Sequence, residues 1–574
     1  MRQLTFLPAL GLGLALCLAA GSGARAQSAE DLLPPQPAPG PESEPVAAER
    51  PVGGRAITRV LDGAGFLLGG IAVEGNTAIP TARLQPIWAG LIGREVGITT
   101  LDAVAAEVTA AYRAEGYLLS QAVLPAQEVE GGVVRLQVIE GVIDTVRVTG
   151  GAANQRRYAE RIAGRVTADR PLRIETLERS VLLLRDSFGG RAGESVETVL
   201  GPSPDTFGAA DLDVVVTPQP VRGYVTADNR GSRFYGDVTL GAGLRSYNLL
   251  GLNERLDGTI ALAPDDASLA FASVRASAPI QALTDTVLDG ARLELGASLS
   301  RADPDLTRSG APSTLTSVVD QRSLSVGMTV PIVRTRSQNV FGRLGLEWTE
   351  TDSRTGLAGI GSEETDRLVV LEAGLSWDRV TAGGAVNLVN VALRQGLDLG
   401  GARIGATGPA AGEADFTLAQ VTLSRLQPLG DARWSLLGEA FGQYSADTLP
   451  TGERFALGGA TVGRGFAPGN TTGDSGFGFR VELRRAVSPP ARVPFVTAAE
   501  IYGYGDYGRA FDRSAVRDGD TVESLGSVGI GARVDVNDRL TLTAEIARQT
   551  EGRPSDTIDG TRETRLFLGA IGRF

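Results

Sequence analysis

Most side chains that carry out chemistry are absent from this chain. It has no histidine and a single cysteine, Cys17. No lysine occurs, so all 55 basic residues are arginine. A Ser-His-Asp triad, an HExxH zinc site, a histidine general base, a Schiff-base lysine and a Walker lysine are therefore excluded. No cofactor, no metal site and no enzymatic activity are expected. What remains is arginine set against aspartate and glutamate. A guanidinium is planar, permanently charged and able to meet a carboxylate through two parallel bonds, a chemistry of holding rather than of turnover. Two segments join such groups to glycine and aromatic neighbours: Arg464-Gly465-Phe466, closing the run FALGGATVGRGF, and Tyr504-Gly505-Asp506-Tyr507-Gly508. Glycine beside the charged residue permits close backbone approach. Taken alone, Arg464 also reads as a solvated loop arginine and Asp506 as a turn former.

The elements that must position these groups follow from composition and period. Arg2, an apolar run from Leu4 to Ala20 and Ala24-Arg25-Ala26 before Gln27 form a signal peptide over residues 1–26. Cys17 lies inside it, so the mature chain has no disulfide. Seven prolines between Leu33 and Pro51 make residues 27–55 an extended linker. A net charge of −12 argues against nucleic acid as a partner.

From Phe66 to about Pro218 a mixed α/β pattern runs twice, in β-α-α-β-β order. The first unit has a strand over Phe66 to Glu74, a helix over Leu101 to Glu115 capped by Thr99 or Thr100, and strands over Tyr117 to Leu124 and Val133 to Ile139. The second begins at Ile143, carries a helix from Ile174 to Arg185 and closes with Leu212 to Thr217. After Pro220 the period becomes two. Leu540, Leu542, Ala544 and Ile546 alternate with Arg539, Thr541, Thr543 and Glu545, and the same holds around Arg343, Glu347 and Glu372. Sixteen such segments are counted up to Phe574, among them those starting near Arg222, Val287, Leu315, Thr365, Gly476, Val493, Arg539 and Thr564. No run of 18 apolar residues follows the leader, which excludes a helical membrane protein and leaves a β-barrel open. A soluble sandwich would share the alternation, but it would need a dry second face where this chain places arginine and glutamate.

These features resemble the outer-membrane transporters of two-partner secretion, the branch of the outer-membrane assembly superfamily with two periplasmic POTRA modules. The resemblance rests on Gly116-Tyr117 through Leu124-Pro125, Gly132-Val133-Val134-Arg135-Leu136 and Glu140-Gly141 for the first module. Ala227-Asp228-Asn229-Arg230-Gly231-Ser232 and Asn248-Leu249-Leu250-Gly251-Leu252-Asn253 are similar to the family's opening barrel hairpin. It implies α+β POTRA modules over residues 56–141 and 142–219, then an all-β 16-stranded transmembrane barrel over 220–574 with a long inward loop around 455–475. It also implies that Arg464, Gly465 and Phe466 form the tip of that loop, that Arg464 pairs with Asp506 in the lumen, and that Gly508 belongs to the receiving segment. Gly463, between Val462 and Arg464, departs from the family pattern, as does Phe188-Gly189-Gly190 in the second module.

The expected function is a pore in the bacterial outer membrane that exports one large secreted partner protein without ATP. Its other expected partners are outer-membrane lipid, periplasmic chaperones and the barrel-assembly machinery. The partner is expected to add a strand to an exposed edge of the first module at Tyr117, Leu119, Ala122, Val123 and Leu124. Two other classes stay open: an insertase for other barrels, whose relatives carry three or more POTRA modules, and a passive porin, which needs none.

Overall fold

The computed structural model describes residues 65–574 apart from the loop segments 190–194, 232–233, 265–268, 284–285, 287, 310–312, 358–359, 406–411, 431–432, 490–491, 514–520, 538, 556 and 558–559. The expected signal peptide over 1–26 and linker over 27–55 lie outside the described residues.

The first module runs β1 (Phe66–Leu67), β2 (Gly70–Glu74), α1 (Thr81–Leu84), β3 (Glu95–Val96), α2 (Ile98–Ala114), β4 (Gln121–Val123) and β5 (Val133–Ile139). β5 is central, parallel to β2 on one side and antiparallel to β4 on the other. Helix α2 buries Leu101, Val104, Ala105, Val108 and Tyr112, the face that its spacing implies. Much of that face packs on Leu136 and Val138 of β5. The helix begins earlier than expected, with Gly97 at the N-cap, so Thr99 and Thr100 sit in its first turn and do not cap it. The strand expected over Tyr117–Leu124 shrinks to β4, because Tyr117 turns inward. Its N–H donates to the Tyr112 carbonyl at 3.0 Å, and the two rings lie 5.9 Å apart.

The second module repeats the plan with β6 (Val142–Gly150), α3 (Ala153–Ala163), α4 (Ile174–Phe188), β7 (Val196–Pro202) and β8 (Ala209–Val216). β8 is central, parallel to β6 and antiparallel to β7. Identical strand order and direction in two consecutive units is what a repeated fold requires.

The barrel is closed and has sixteen strands, each antiparallel to its neighbours, with the first (Arg222–Asp228) pairing the sixteenth (Thr564–Arg573). Alternation sorts side chains as expected: Leu542 and Ile546 are exposed on the outer face, whereas Glu545 between them is buried inside. Two strand starts move by five residues, and the others by three or fewer. The fifth begins at Arg292 rather than near Val287, because the preceding turn docks on the second module; the Arg179 guanidinium there donates to the carbonyls of Asp289 at 3.1 Å and Pro331 at 2.9 Å. The eighth begins at Ile360 rather than Thr365. The sixth (Leu315–Arg334), seventh (Gln338–Leu357) and eighth (Ile360–Val380) strands have 20, 20 and 21 residues, about twice the ~9–11 needed to cross a bilayer. Further contacts fix the second module at the same end of the barrel. Arg334 grips Asp186 bidentately at 2.7 and 2.8 Å, and Asn154 donates to the side chains of Asn248 and Asn253.

Within the first module, Glu140 ties the end of β5 to the turn after β2. Its carboxylate accepts the N–H groups of Thr77 and Ala78, each at 2.7 Å, and the Tyr112 hydroxyl at 2.8 Å. Partial burial pushes the Glu140 carboxyl up, but the Ala78 N–H, the Thr77 and Tyr112 hydroxyls and the Thr77 N–H together outweigh it and hold it below the usual carboxylate value. A folded-state value below the unfolded one stabilises the module above the unfolded value and loses that contribution as pH falls through the folded one. Glu140→Gln should therefore cost about 1–2 kcal/mol at pH 7. Hydrogen exchange over residues 66–141 of the full chain in detergent should show this deficit shrinking in acid. An equal deficit at pH 7 and pH 3 would contradict it.

Candidate functional site

The connection between the eleventh strand (Trp434–Ser445) and the twelfth (Ser475–Val487) folds back against the inner wall of the barrel. It contains a single helical turn, Thr451–Glu453, and a short hairpin in which Phe455–Leu457 pairs with Thr471–Gly473. The hairpin tip reaches the thirteenth (Val496–Asp512), fourteenth (Thr521–Val536) and fifteenth (Leu540–Glu551) strands. At the tip, Gly463 adopts φ +76°, a left-handed conformation that suits glycine. This turns consecutive amides toward one carboxylate: Asp506 accepts the N–H of Gly463 at 2.8 Å and that of Arg464 at 3.2 Å. Ser527 completes the shell, its hydroxyl 2.8 Å from both Asp506 oxygens. The glycine that departs from the family pattern is thus the residue that aims the backbone at Asp506.

The expected side-chain pair between Arg464 and Asp506 is corrected by this geometry. Because Asp506 is occupied by backbone amides and Ser527, the guanidinium passes it and bridges two other carboxylates, Glu482 at 2.8 Å and Glu545 by a short contact. It also stacks 4.0 Å from the centre of the Tyr504 ring, with Tyr502 at 5.6 Å. Arg464, Asp506, Glu482 and Glu545 are all buried. A buried guanidinium is tolerable only when charge and hydrogen bonds are returned to it, and two carboxylates, on the twelfth and fifteenth strands, do so.

The remaining expected loop residues serve close packing. Gly465 donates its N–H to Ser527 Oγ at 3.3 Å, and its carbonyl accepts Gln549 Nε2 at 2.7 Å. Phe466 is buried among Leu457, Val462, Ala510 and Leu525. Gly508 faces the same cluster; a Cβ there would lie 2.6 Å from Leu457 Cδ2 and 3.0 Å from the Phe477 carbonyl oxygen.

A second anchor at the root of the loop went unforeseen. Arg394 on the ninth strand (Val386–Gly396) holds Glu453 bidentately at 2.7 and 3.0 Å, and also reaches Glu372 at 2.7 Å and Glu347 at 3.3 Å. The sequence carried one signal of it, namely that Glu347 and Glu372 occupy inward positions of alternating strands.

The expected partner-binding edge of the first module takes a different form. Tyr117 and Leu119 precede β4, and Leu119 packs toward the core of the second module. Ala122 and Val123 are on β4, while Leu124 follows it and packs on the core of its own module. The Ala122 N–H donates to Thr109 Oγ1 on α2 at 2.9 Å, so the helix already occupies this donor. Ala122→Pro would remove a bond internal to the module.

The sequence profile of the haemolysin secretion/activation proteins ShlB/FhaC/HecB matches residues 208–534, more than half of the chain, and a ShlB-type POTRA domain profile matches residues 66–141. The chain belongs to this family. It is 23% identical over 511 residues to the heme/hemopexin transporter protein HuxB of Haemophilus influenzae, covering 87% of this chain and 85% of the relative. It is 26% identical over 451 residues to the outer membrane transporter CdiB of Escherichia coli, covering 74% and 69%. The solved structure of CdiB from Escherichia coli superposes with a TM-score of 0.71 at 20% identity, each chain covered fully. The protein is an outer-membrane transporter, with its POTRA modules in the periplasm.

The geometry separates two contacts that a direct Arg464–Asp506 pair would merge. Arg464→Ala combined with Glu545→Gln should cost less than the sum of the single changes, with a coupling of about 0.5–3 kcal/mol in thermal unfolding of the detergent-solubilised barrel. Arg464→Ala combined with Asp506→Asn should come much closer to additivity. The reverse order of couplings would restore the direct pair.

Proposed function

We propose that this transporter exports one large secreted partner protein through the lumen of its barrel, as the secreting half of a two-partner system, with no ATP at the outer membrane. The observation that carries the reading is a loop pressed on the inner wall by polar contacts, which are reversible, rather than by covalent or continuous sheet structure. On this reading the tip withdraws from strands twelve to fifteen when the partner enters, and the root stays attached through Glu453 and Arg394. Folding of the partner outside supplies direction.

The division into a leader over 1–26, a linker over 27–55, modules over 56–141 and 142–219 and a barrel over 220–574 belongs to the same proposal. It is supported by two successive three-stranded sheets ahead of Arg222. The modules receive the partner in the periplasm. With the donor at Ala122 engaged, better-placed edges are β2 and β7, the outer strands opposite β4 and β6 in their sheets. The exposed apolar outer face meets outer-membrane lipid, and periplasmic chaperones and the barrel-assembly machinery deliver the barrel there. Two modules among the described residues, rather than three or more, favour export over barrel insertion.

Loop withdrawal is tested by a disulfide. A Cβ on Gly465 would lie 3.4 Å from Ser527 Cβ, close to the span of a disulfide. In the Gly465→Cys, Ser527→Cys double variant, partner export should stop on oxidation and return on reduction. Unchanged export by the fully oxidised protein would show that the tip does not move.

A further inference from the structure

The carboxylates that receive Arg464 are not left bare when it departs. Glu482 is held by three arginines: Arg464 at 2.8 Å, Arg484 at 2.8 Å and Arg533 at 3.1 Å. Glu545 is held by Arg464, by Arg230 at 2.9 Å, and by the hydroxyls of Tyr502 at 2.8 Å and Tyr504 at 3.1 Å. Asp506 keeps Ser527. The standby cations are themselves anchored. Arg533 donates to Glu500 at 2.6 Å and lies 4.0 Å from the Tyr502 ring, and Arg230 lies 4.3 Å from the ring of Phe567 on the sixteenth strand.

This arrangement has a consequence for opening. Removing one partner of an isolated buried ion pair strands the other charge, and that penalty holds such pairs shut. Where two further arginines share the carboxylate, each cation lowers the worth of the next, and like charges around one acceptor repel. Arg464 and Arg533 also both lie against the Tyr502 ring, at 5.6 and 4.0 Å from its centre. We infer that Arg533, seconded by Arg230, is a positioning residue for loop release: it keeps Glu482 paired in the open barrel and weakens the hold of Glu482 on Arg464 in the closed one. The inference rests on the reading that the loop tip leaves the wall during export.

Its signature is the sign of the effect. A residue that only braces the wall would, when removed, loosen the tip and raise leakage. Arg533→Gln should instead tighten the tip, because Glu482 then depends more heavily on Arg464. In planar bilayers the full-length variant should show an open probability lowered about three- to tenfold. Arg533→Lys, which keeps the charge, should stay near the parent. Arg230→Gln should act in the same direction through Glu545, and it serves as the second variant if Arg533→Gln fails to insert, judged by heat-modifiable mobility. An unchanged or raised open probability in an inserted variant overturns the inference. The Gly465→Cys, Ser527→Cys disulfide separates the two claims. If oxidation fails to stop export, loop withdrawal itself is wrong; if oxidation stops export while Arg533→Gln conducts like the parent, only the role of Arg533 is wrong.

Discussion

The architecture turns on one buried cation. Arg464 carries a permanent charge into the lumen wall, where water is scarce, and it stays because Glu482 and Glu545 meet it from two different strands and Tyr504 covers its face. Neither carboxylate could be presented by a loop with comparable accuracy. Each is an inward position on a barrel strand, fixed by register and by the two-residue period, so the closed sheet serves as the scaffold of the clasp. The backbone turn at Gly463 and the packing of Phe466 then set where along the wall the tip comes to rest.

The rest of the molecule arranges what enters and leaves past that contact. Arg394 and Glu453 hold the loop root to the ninth strand, so the tip and the root are attached to different parts of the wall. At the other end, polar contacts from Asp186, Arg179 and Asn154 seat the second module on the end of the sixth strand and on barrel turns. The seam between the first and sixteenth strands pairs Tyr224–Asp228 with Gly569–Arg573, and Gly223 and Phe574 exchange backbone hydrogen bonds at 2.8 and 2.9 Å beyond it. It is lengthened by the side chain of Asn229, which bonds the Leu566 carbonyl and the Leu568 N–H. That gives a physical role to the asparagine of the opening hairpin.

Much of this was legible in the sequence, for identifiable reasons. Sixteen strands could be counted because lipid on one side and water on the other impose strict alternation, which no other environment enforces over so many segments. The face of α2 was legible because Val104, Val108 and Tyr112 recur at helical spacing. Helix α3 was not localised, since ANQRRYAERIA offers few apolar positions and buries Gln155 with them. The length of the Tyr117–Leu124 strand was misjudged because Tyr117 suits either a strand or a core, and tertiary packing chose the core. The clasp was half legible. Its members Arg464, Gly465, Phe466, Asp506 and Gly508 do converge, yet which carboxylate meets the guanidinium depends on the backbone turn at Gly463, and no spacing rule reports that. Glu482, Ser527 and Arg394 became visible only when strands distant in sequence were brought side by side.

The central claim is that export withdraws the loop tip from the wall while the barrel persists. The most direct measurement is a spin-label distance in the intact membrane protein, between a label at the exposed Ala460 beside the tip and one at Ala382, in the exposed turn joining the eighth and ninth strands. Without partner, one narrow distance is expected. With the partner arrested in transit, a second and displaced population should appear. A single unshifted distance in the arrested complex would contradict the account.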